Sequence, residues 1–148
     1  MSEIQWRAGP DLSAAEVYEI WRIRDLVFSV GQRICDVDVD GIDLRNSCTH
    51  GWIADEVVGA GQFASYLRVY TDHAGRHIGR VSTREEARGR GLSSTLLRAA
   101  LTRWGNEPLL IGAQAHLEGW YTGFGFTVTG SLYDDAGIPH LPMVRPAG

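Results

Sequence analysis

A loop with the residue types of an anion-binding site lies between positions 88 and 94, where the sequence reads Arg-Gly-Arg-Gly-Leu-Ser-Ser. Glycines let backbone N–H groups approach an anion closely, and a helix that starts behind them adds unpaired donors and about half a positive charge. Two arginines frame the turn and two serine hydroxyls follow it. This combination predicts a phosphate-binding loop.

Two common phosphate-binding motifs do not fit this loop. A Walker P-loop requires Gly-Lys followed by Ser or Thr, and no such residues follow these glycines. The dinucleotide-binding fingerprint requires a third glycine where Ser94 stands, and an acidic residue at the end of the next strand, which is also missing. The loop therefore belongs to another class of phosphate site.

The hydrophobic pattern places this loop between a strand and a helix. The strand, loop, helix and next strand span residues 77–113, and their crossover connection is expected to be right-handed. A capping box at Ser13 predicts a first helix that Gly31 ends, and residues 32–47 have no regular pattern. Two further helices are predicted at 92–104 and 116–124. Predicted strands cover 4–7, 52–54, 57–70, 77–83, 109–113, 127–133 and 141–144. The order β-α-β-β-β-α-β-α-β-β indicates a mixed sheet with helices on both faces.

Composition and charge limit the function classes. The 148 residues are enough for a single domain spanning 1–148, and the net charge of −4 argues against a nucleic-acid partner. No apolar run approaches the ~20 residues that a membrane-spanning helix needs, and the N-terminus lacks a signal-peptide core. A cytoplasmic protein without a membrane partner is therefore expected. Two cysteines without Cys-x-x-Cys spacing predict neither a disulfide framework nor a metal site.

The charged residues are unevenly distributed. All 14 basic residues are arginine, and seven of them lie between positions 76 and 103, which suits an anionic ligand. Aspartates crowd the segment before Leu44, at positions 36, 38, 40 and 43. The aspartates are compatible with a site for a cationic ligand and equally with a solvated surface.

Residues 88–93 match the pyrophosphate motif Arg-x-x-Gly-x-Gly/Ala of the GCN5-related N-acetyltransferases, the GNAT family, with Ser93 in the last place. Residues 121–126 resemble the family's Tyr-x-x-x-Gly-Phe signature. The chain resembles the ElaA subgroup in particular, in segments 24–32, 38–43, 112–116 and 137–140, although Gly31 replaces the usual glutamate. Together these resemblances cover nearly the whole chain.

The resemblance implies a GNAT fold, an α/β structure with a mixed, mostly antiparallel central sheet and helices on both faces. Two parallel strands, 77–83 and 109–114, would splay into a V and leave backbone groups free for the pantetheine amides of acetyl-CoA. The implied activity is transfer of acetyl from acetyl-CoA to a primary amine by direct attack. Residues expected to bind acetyl-CoA are Val81, Ser82, Thr83, Arg88, Gly89, Arg90, Gly91, Leu92, Ser93, Ser94 and Gln114.

The resemblance also assigns roles on the acceptor side. Tyr121 matches the family's general acid, although a core aromatic residue is the alternative, and an N–H near Val81 would stabilise the oxyanion. Asp40, His140 and Asp134 are candidates for the base. Residues expected to contact a small-molecule or peptide amine are Arg24, Phe28, Gln32, Asp40 and His140.

Several alternatives stay open from the sequence. Arg24 could instead pair with a nearby aspartate, and His116 is interpreted as a structural contact. Because Gly31 lacks the carboxylate that subgroup members carry, a non-catalytic acyl-CoA sensor is the alternative function. A homodimer is compatible with the sequence.

Overall fold

Eight strands form one mixed sheet in the computed structural model, which describes residues 3–148. The strands are β1 (Ile4–Ala8), β2 (Cys48–Ala54), β3 (Phe63–Asp72), β4 (Gly75–Thr83), β5 (Leu109–Gln114), β6 (Thr127–Val128), β7 (Tyr133–Asp135) and β8 (Ile138–Arg145). Their order across the sheet is β1-β2-β3-β4-β5-β8-β6, and β7 also pairs with β8.

The parallel pair β4 and β5 creates an opening in this sheet. The other paired strands are antiparallel, whereas β4 and β5 are parallel and in register only at Arg76 with Leu109 and His77 with Leu110. Beyond these two positions β4 stays on β3 and β5 stays on β8. The predicted V between two parallel strands is therefore present.

Within the described residues three α-helices flank the sheet: α1 (Ala14–Arg24), α2 (Leu92–Trp104) and α3 (Glu118–Thr122). The predicted capping box starts α1, because the Ser13 hydroxyl accepts from the Glu16 N–H and the Glu16 carboxylate accepts from the Ser13 N–H. A π-helix, Asp25–Gly31, continues α1. Within residues 3–148 no helix has the length and apolar character to cross a membrane.

The helices lie on both faces of the sheet because alternate strand residues point to opposite sides. Ile20 and Ile23 of α1 pack with Trp52, Phe63 and Tyr66. On the opposite face the buried residues of α2 and α3 form a larger core with those of the strands, namely Ile53, Leu67, Val69, Ile78, Leu96, Leu97, Ala100, Leu109, Ile111, Ala113, Tyr121, Phe126 and Met143. The predicted fold class is confirmed.

Some predicted element boundaries are wrong. The strand predicted to begin at Val57 begins at Phe63, because Gly59 and Gly61 have φ values of 132° and 73° and turn the chain. The helix predicted for 116–124 is a 3-10 turn, Ala115–Leu117, followed by the short α3. The predicted 127–133 strand is divided into β6 and β7, and β8 starts at Ile138, three residues before the predicted start.

Candidate active site

Two cavities meet where β4 and β5 separate. The first, of about 890 Å³, is lined by the end of β4 and by residues 84–89 and 91–94; we name it the loop cavity. The second, of about 530 Å³, is lined by β4, β5, residues 36–38 and the hairpin of β7 and β8; we name it the hairpin cavity. Five side chains line both, namely those of Phe28, Val81, Gln114, Leu117 and Tyr121. A molecule in one cavity can therefore meet a molecule in the other at the V.

The 88–94 loop presents backbone donors to the loop cavity. Gly89 and Gly91 have φ values of 81° and 72°, and a Cβ at either position would meet no atom within 4 Å. Gly91 is the N-cap of α2, and the first bond of that helix runs from the Thr95 N–H to the Gly91 carbonyl at 3.0 Å. The N–H groups of residues 92–94 are thus left for a ligand, at the positive end of a 13-residue helix.

The two loop arginines differ in position. Arg88 lines the loop cavity and donates from Nε to the Thr83 carbonyl at 3.2 Å. Arg90 pairs with Asp55, with Nη2 2.7 Å from Oδ2, and lines neither cavity. Of the two, Arg88 is placed to add charge to the backbone donors.

Ser93 occupies the position of the family's glycine or alanine without blocking the loop. Its hydroxyl is hydrogen-bonded to that of Thr83, which lies 2.9 Å from the Ser65 hydroxyl. Ser65 in turn donates to the Ser82 carbonyl at 3.1 Å. This chain of hydroxyls joins the start of α2 to the end of β4 and the start of β3.

Tyr121 lies at the junction of the cavities with its ring in the core. The residue is only 6% exposed, and its ring packs edge-on against Trp120 and Phe126. Its hydroxyl makes no hydrogen bond to any residue within 3–148. The oxygen is not fully buried either, so it is open to the cavities that Tyr121 lines. Burial raises the pKa of Tyr121 to about 12, which keeps the phenol protonated.

His140 lines the hairpin cavity, and its neutral tautomer follows from one contact. Nδ1 lies 2.7 Å from the Ile138 carbonyl oxygen. Because a carbonyl only accepts hydrogen bonds, Nδ1 carries the proton and Nε2 of the neutral ring holds a lone pair. Asp134, another candidate base, accepts from the Gly137 N–H at 3.2 Å and lines neither cavity.

The structure brings Phe28 and Gln32 to the junction from the π-helix and the residue that follows it. Phe28 lines both cavities, and Gln32 lines the loop cavity and contacts Gln114. Gly31 lines the loop cavity without a carboxylate, and a Cβ there would lie 3.0 Å from the Leu26 carbonyl oxygen. The tight π-helical turn therefore accommodates glycine well at this position.

Arg24 and Asp40 lie outside both cavities, contrary to the sequence expectation. The fully buried Arg24 pairs with Asp38 at 2.8 Å and Asp43 at 2.6 Å, which is the pairing alternative. Asp40 pairs with Arg68. Although burial alone would raise the pKa of Asp40, its bonds to Arg68 lower that pKa well below the usual range, so Asp40 is a poor base. We name these residues, with Arg80, the arginine–aspartate network; they are Arg24, Arg68, Arg80, Asp38, Asp40 and Asp43.

The acidic segment is consequently neutralised within the chain, because three of its four aspartates belong to the network. Only Asp36 is left without an ion pair among the described residues, and it lines the hairpin cavity. The segment therefore has little unpaired negative charge left with which to attract a cationic ligand.

Asp43, Cys48 and His50 could place one metal-ligand atom each within 4.8 Å of one another. Their surroundings oppose a cation, since Arg24 and Arg68 both contact Asp43. Both His50 nitrogens are engaged as well, with the Asp43 carbonyl at 2.7 Å and the Tyr66 hydroxyl at 2.6 Å. This group does not fit a resident metal.

Sequence reasoning missed two residues of the hairpin cavity. Arg80 lies in a β-bulge of β4 with a φ of 53° and pairs with Asp38 at 2.9 Å, which fixes residues 36–38 against β4. Tyr133 on β7 lies over the backbone of Gly112 on β5. No local pattern marks either residue, because both contacts depend on how distant strands pair.

Comparisons with known proteins agree with this geometry. Residues 42–146 match the family described as an acetyltransferase (GNAT) domain. A UPF0039 protein of Mycobacterium tuberculosis is 40% identical over 140 residues, which are 92% of this chain and 88% of that protein. ElaA of Escherichia coli is 36% identical over 141 residues, 91% of this chain and 90% of ElaA.

Two solved structures are similar over nearly their full length. An acyl-CoA N-acyltransferase from Pseudomonas aeruginosa has a TM-score of 0.88 and 34% identity, covering 98% of this chain and 99% of its own. The crystal structure of Escherichia coli ElaA has a TM-score of 0.86 and 30% identity, with the same coverage of both chains.

Proposed function

This chain belongs to the GNAT family of acetyltransferases, in its ElaA-like subgroup, and on that premise we propose that it transfers acetyl from acetyl-CoA to a primary amine. The transfer occurs by direct attack in a ternary complex. The single observation that carries the proposal is the meeting of the two cavities at Tyr121, where β4 and β5 separate. The family is described by its acetyltransferase activity, which does not favour the alternative function of a non-catalytic acyl-CoA sensor.

The loop cavity is the proposed site of acetyl-CoA. The N–H groups of residues 92–94 and the Arg88 guanidinium suit a pyrophosphate, and the unpaired edge of β4 near Val81 suits the pantetheine amides. A protein that shares the fold at 11% identity, the PaiA N-acetyltransferase of Thermoplasma acidophilum, was solved with coenzyme A. Acetyl-CoA laid along the loop cavity brings its thioester to the V.

In the hairpin cavity the amine nitrogen attacks the thioester carbonyl carbon, and the carbon–sulfur bond breaks. The Val81 N–H is the proposed donor to the developing oxyanion. The Tyr121 hydroxyl donates to the departing sulfur, and His140 Nε2 accepts the proton that the amine loses, directly or through water. Because burial raises the pKa of Tyr121 to about 12, its hydroxyl carries a proton when the thiolate departs.

A Tyr121→Phe variant tests the proposal in steady-state kinetics with acetyl-CoA and a panel of primary amines. Because general acid catalysis contributes about 10²–10⁴-fold, we expect kcat to fall by about a hundredfold or more while the Kd for coenzyme A stays nearly constant. Tyr18→Phe, on the exposed face of α1, is the matched control and retains full activity. Absence of amine-dependent coenzyme A release from the wild-type protein contradicts the proposal.

A further inference from the structure

Two glutamine side chains form a closed amide pair beside the junction of the cavities. Gln32 Nε2 donates to Gln114 Oε1 at 2.9 Å, and Gln114 Nε2 donates to Gln32 Oε1 at 2.9 Å. Both residues are partly buried and lie 82 positions apart in the sequence. The pair joins the end of the π-helix to the last residue of β5.

The pair also fixes the position of a side chain that both cavities share. Gln114 lines the loop and hairpin cavities, whereas Gln32 lines the loop cavity alone. Two mutual hydrogen bonds hold each amide in one orientation, which a single bond to water would not do. Gln114 is thus a fixed part of the wall at the opening between the cavities, which Val81 of β4 also lines.

The proposed function determines which part of the donor reaches this wall. The pyrophosphate lies at the start of α2 and the pantetheine arm runs through the loop cavity, so the thioester lies at the V. An acyl group attached to it must lie among the five shared residues or extend past them into the hairpin cavity. There it would occupy the space of the attacking amine.

We propose that the Gln32–Gln114 pair sets the acyl length that the enzyme accepts, limiting the donor to acetyl and similarly short acyl groups. This inference rests on the proposed function. Phe28, Leu117 and Tyr121 enclose the rest of the opening with bulky side chains, and Gln114 is the member of the opening that carries an amide. A longer acyl chain held among the shared residues would press on the paired amides, and displacing them would leave them without hydrogen bonds.

The experiment compares kcat/KM for acetyl-, butyryl- and hexanoyl-CoA with one primary amine in the wild type and in Gln32→Ala and Gln114→Ala. Since one methylene in a fitted pocket changes discrimination by about tenfold or more, we expect the wild type to prefer acetyl by at least that factor. Both variants should reduce the acetyl-to-butyryl ratio about tenfold. Gln32→Ala leaves β5 intact and removes only the partner of Gln114, so it guards against a folding defect in the other variant.

Two further variants sharpen the test. Gln32→Met keeps the chain length but loses the amide, so it should widen the donor range if the hydrogen bonds matter. Gln5→Ala on the edge strand β1, outside both cavities, should keep the wild-type ratio. Unchanged ratios in both alanine variants overturn the inference while acetyl transfer persists. Failure of the wild type to use any acyl-CoA instead contradicts the proposed function.

Discussion

At the scale of single residues, the chemistry of His140 depends on one backbone carbonyl. The Ile138 oxygen fixes the proton on Nδ1, so the neutral ring presents its lone pair on Nε2. Register places His140 opposite Gln114 on β5 and Tyr133 on β7. His140 therefore lies on the wall of the hairpin cavity, where the proposed mechanism has the attacking amine lose its proton.

A His140→Gln variant should lower kcat/KM about a hundredfold, because glutamine cannot accept a proton from the amine. The measurement is steady-state kinetics at a fixed pH, with saturating acetyl-CoA and varied amine. His73→Gln, in an exposed turn, provides the control, and an unchanged kcat/KM in His140→Gln would rule out a role as base.

At the scale of elements, the start of α2 combines two requirements in one glycine. Gly91 has a left-handed φ of 72°, and in the proposed complex it lies where the backbone approaches the pyrophosphate. A Cβ there meets no neighbour within 4 Å, so alanine would cause no steric clash within the protein. Its effect on stability would come from the backbone conformation, and its effect on binding from contact with the ligand.

Gly91→Ala should lower the free energy of unfolding by about 1–2 kcal/mol, the cost of a left-handed conformation for a residue with a Cβ. It should also weaken coenzyme A binding, because the added methyl group projects from the loop that is proposed to hold the pyrophosphate. Denaturant unfolding and calorimetric titration measure the two effects. Gly119→Ala in α3, where φ is ordinary and nothing lies within 4 Å, should leave both quantities unchanged or slightly improved.

Elements with strong local signals were predictable from the sequence. The helix at 92–104 and the strand ending at Thr83 match α2 and β4, because hydrophobic period and the glycine-rich turn both mark them. The strand from Val57 was wrong because its pattern continued through Gly59 and Gly61, whose turn depends on backbone conformation. The π-helix was also missed, since its apolar residues repeat at nearly the α-helical period.

At the scale of the whole molecule, the arginine–aspartate network attaches residues 36–43 to α1, β3 and β4. Its three arginines come from three different elements, at sequence separations of 14 to 42 from their partners. Such distances explain why the sequence could not decide whether Arg24 meets a substrate or an aspartate. The network also supports the wall of the hairpin cavity at Asp36 and Val37.

Asp43→Asn should destabilise the protein at neutral pH by about 3–5 kcal/mol, because it leaves the buried Arg24 and Arg68 without their shared carboxylate. Although burial raises the pKa of Asp43, bonds to both arginines lower it below its usual value. A carboxyl group with a lowered folded-state pKa stabilises the protein above its unfolded pKa of about 3.9, and that stabilisation is lost as the pH falls through the folded value. Urea unfolding at pH 7 and at pH values below 4 should therefore show a gap between wild type and Asp43→Asn that narrows on acidification. The control is Asp135→Asn, which changes an exposed carboxylate without an ion pair among the described residues and should leave the free energy of unfolding at the wild-type value. A gap for Asp43→Asn that stays constant with pH would mean that the charge of Asp43 does not hold the network together.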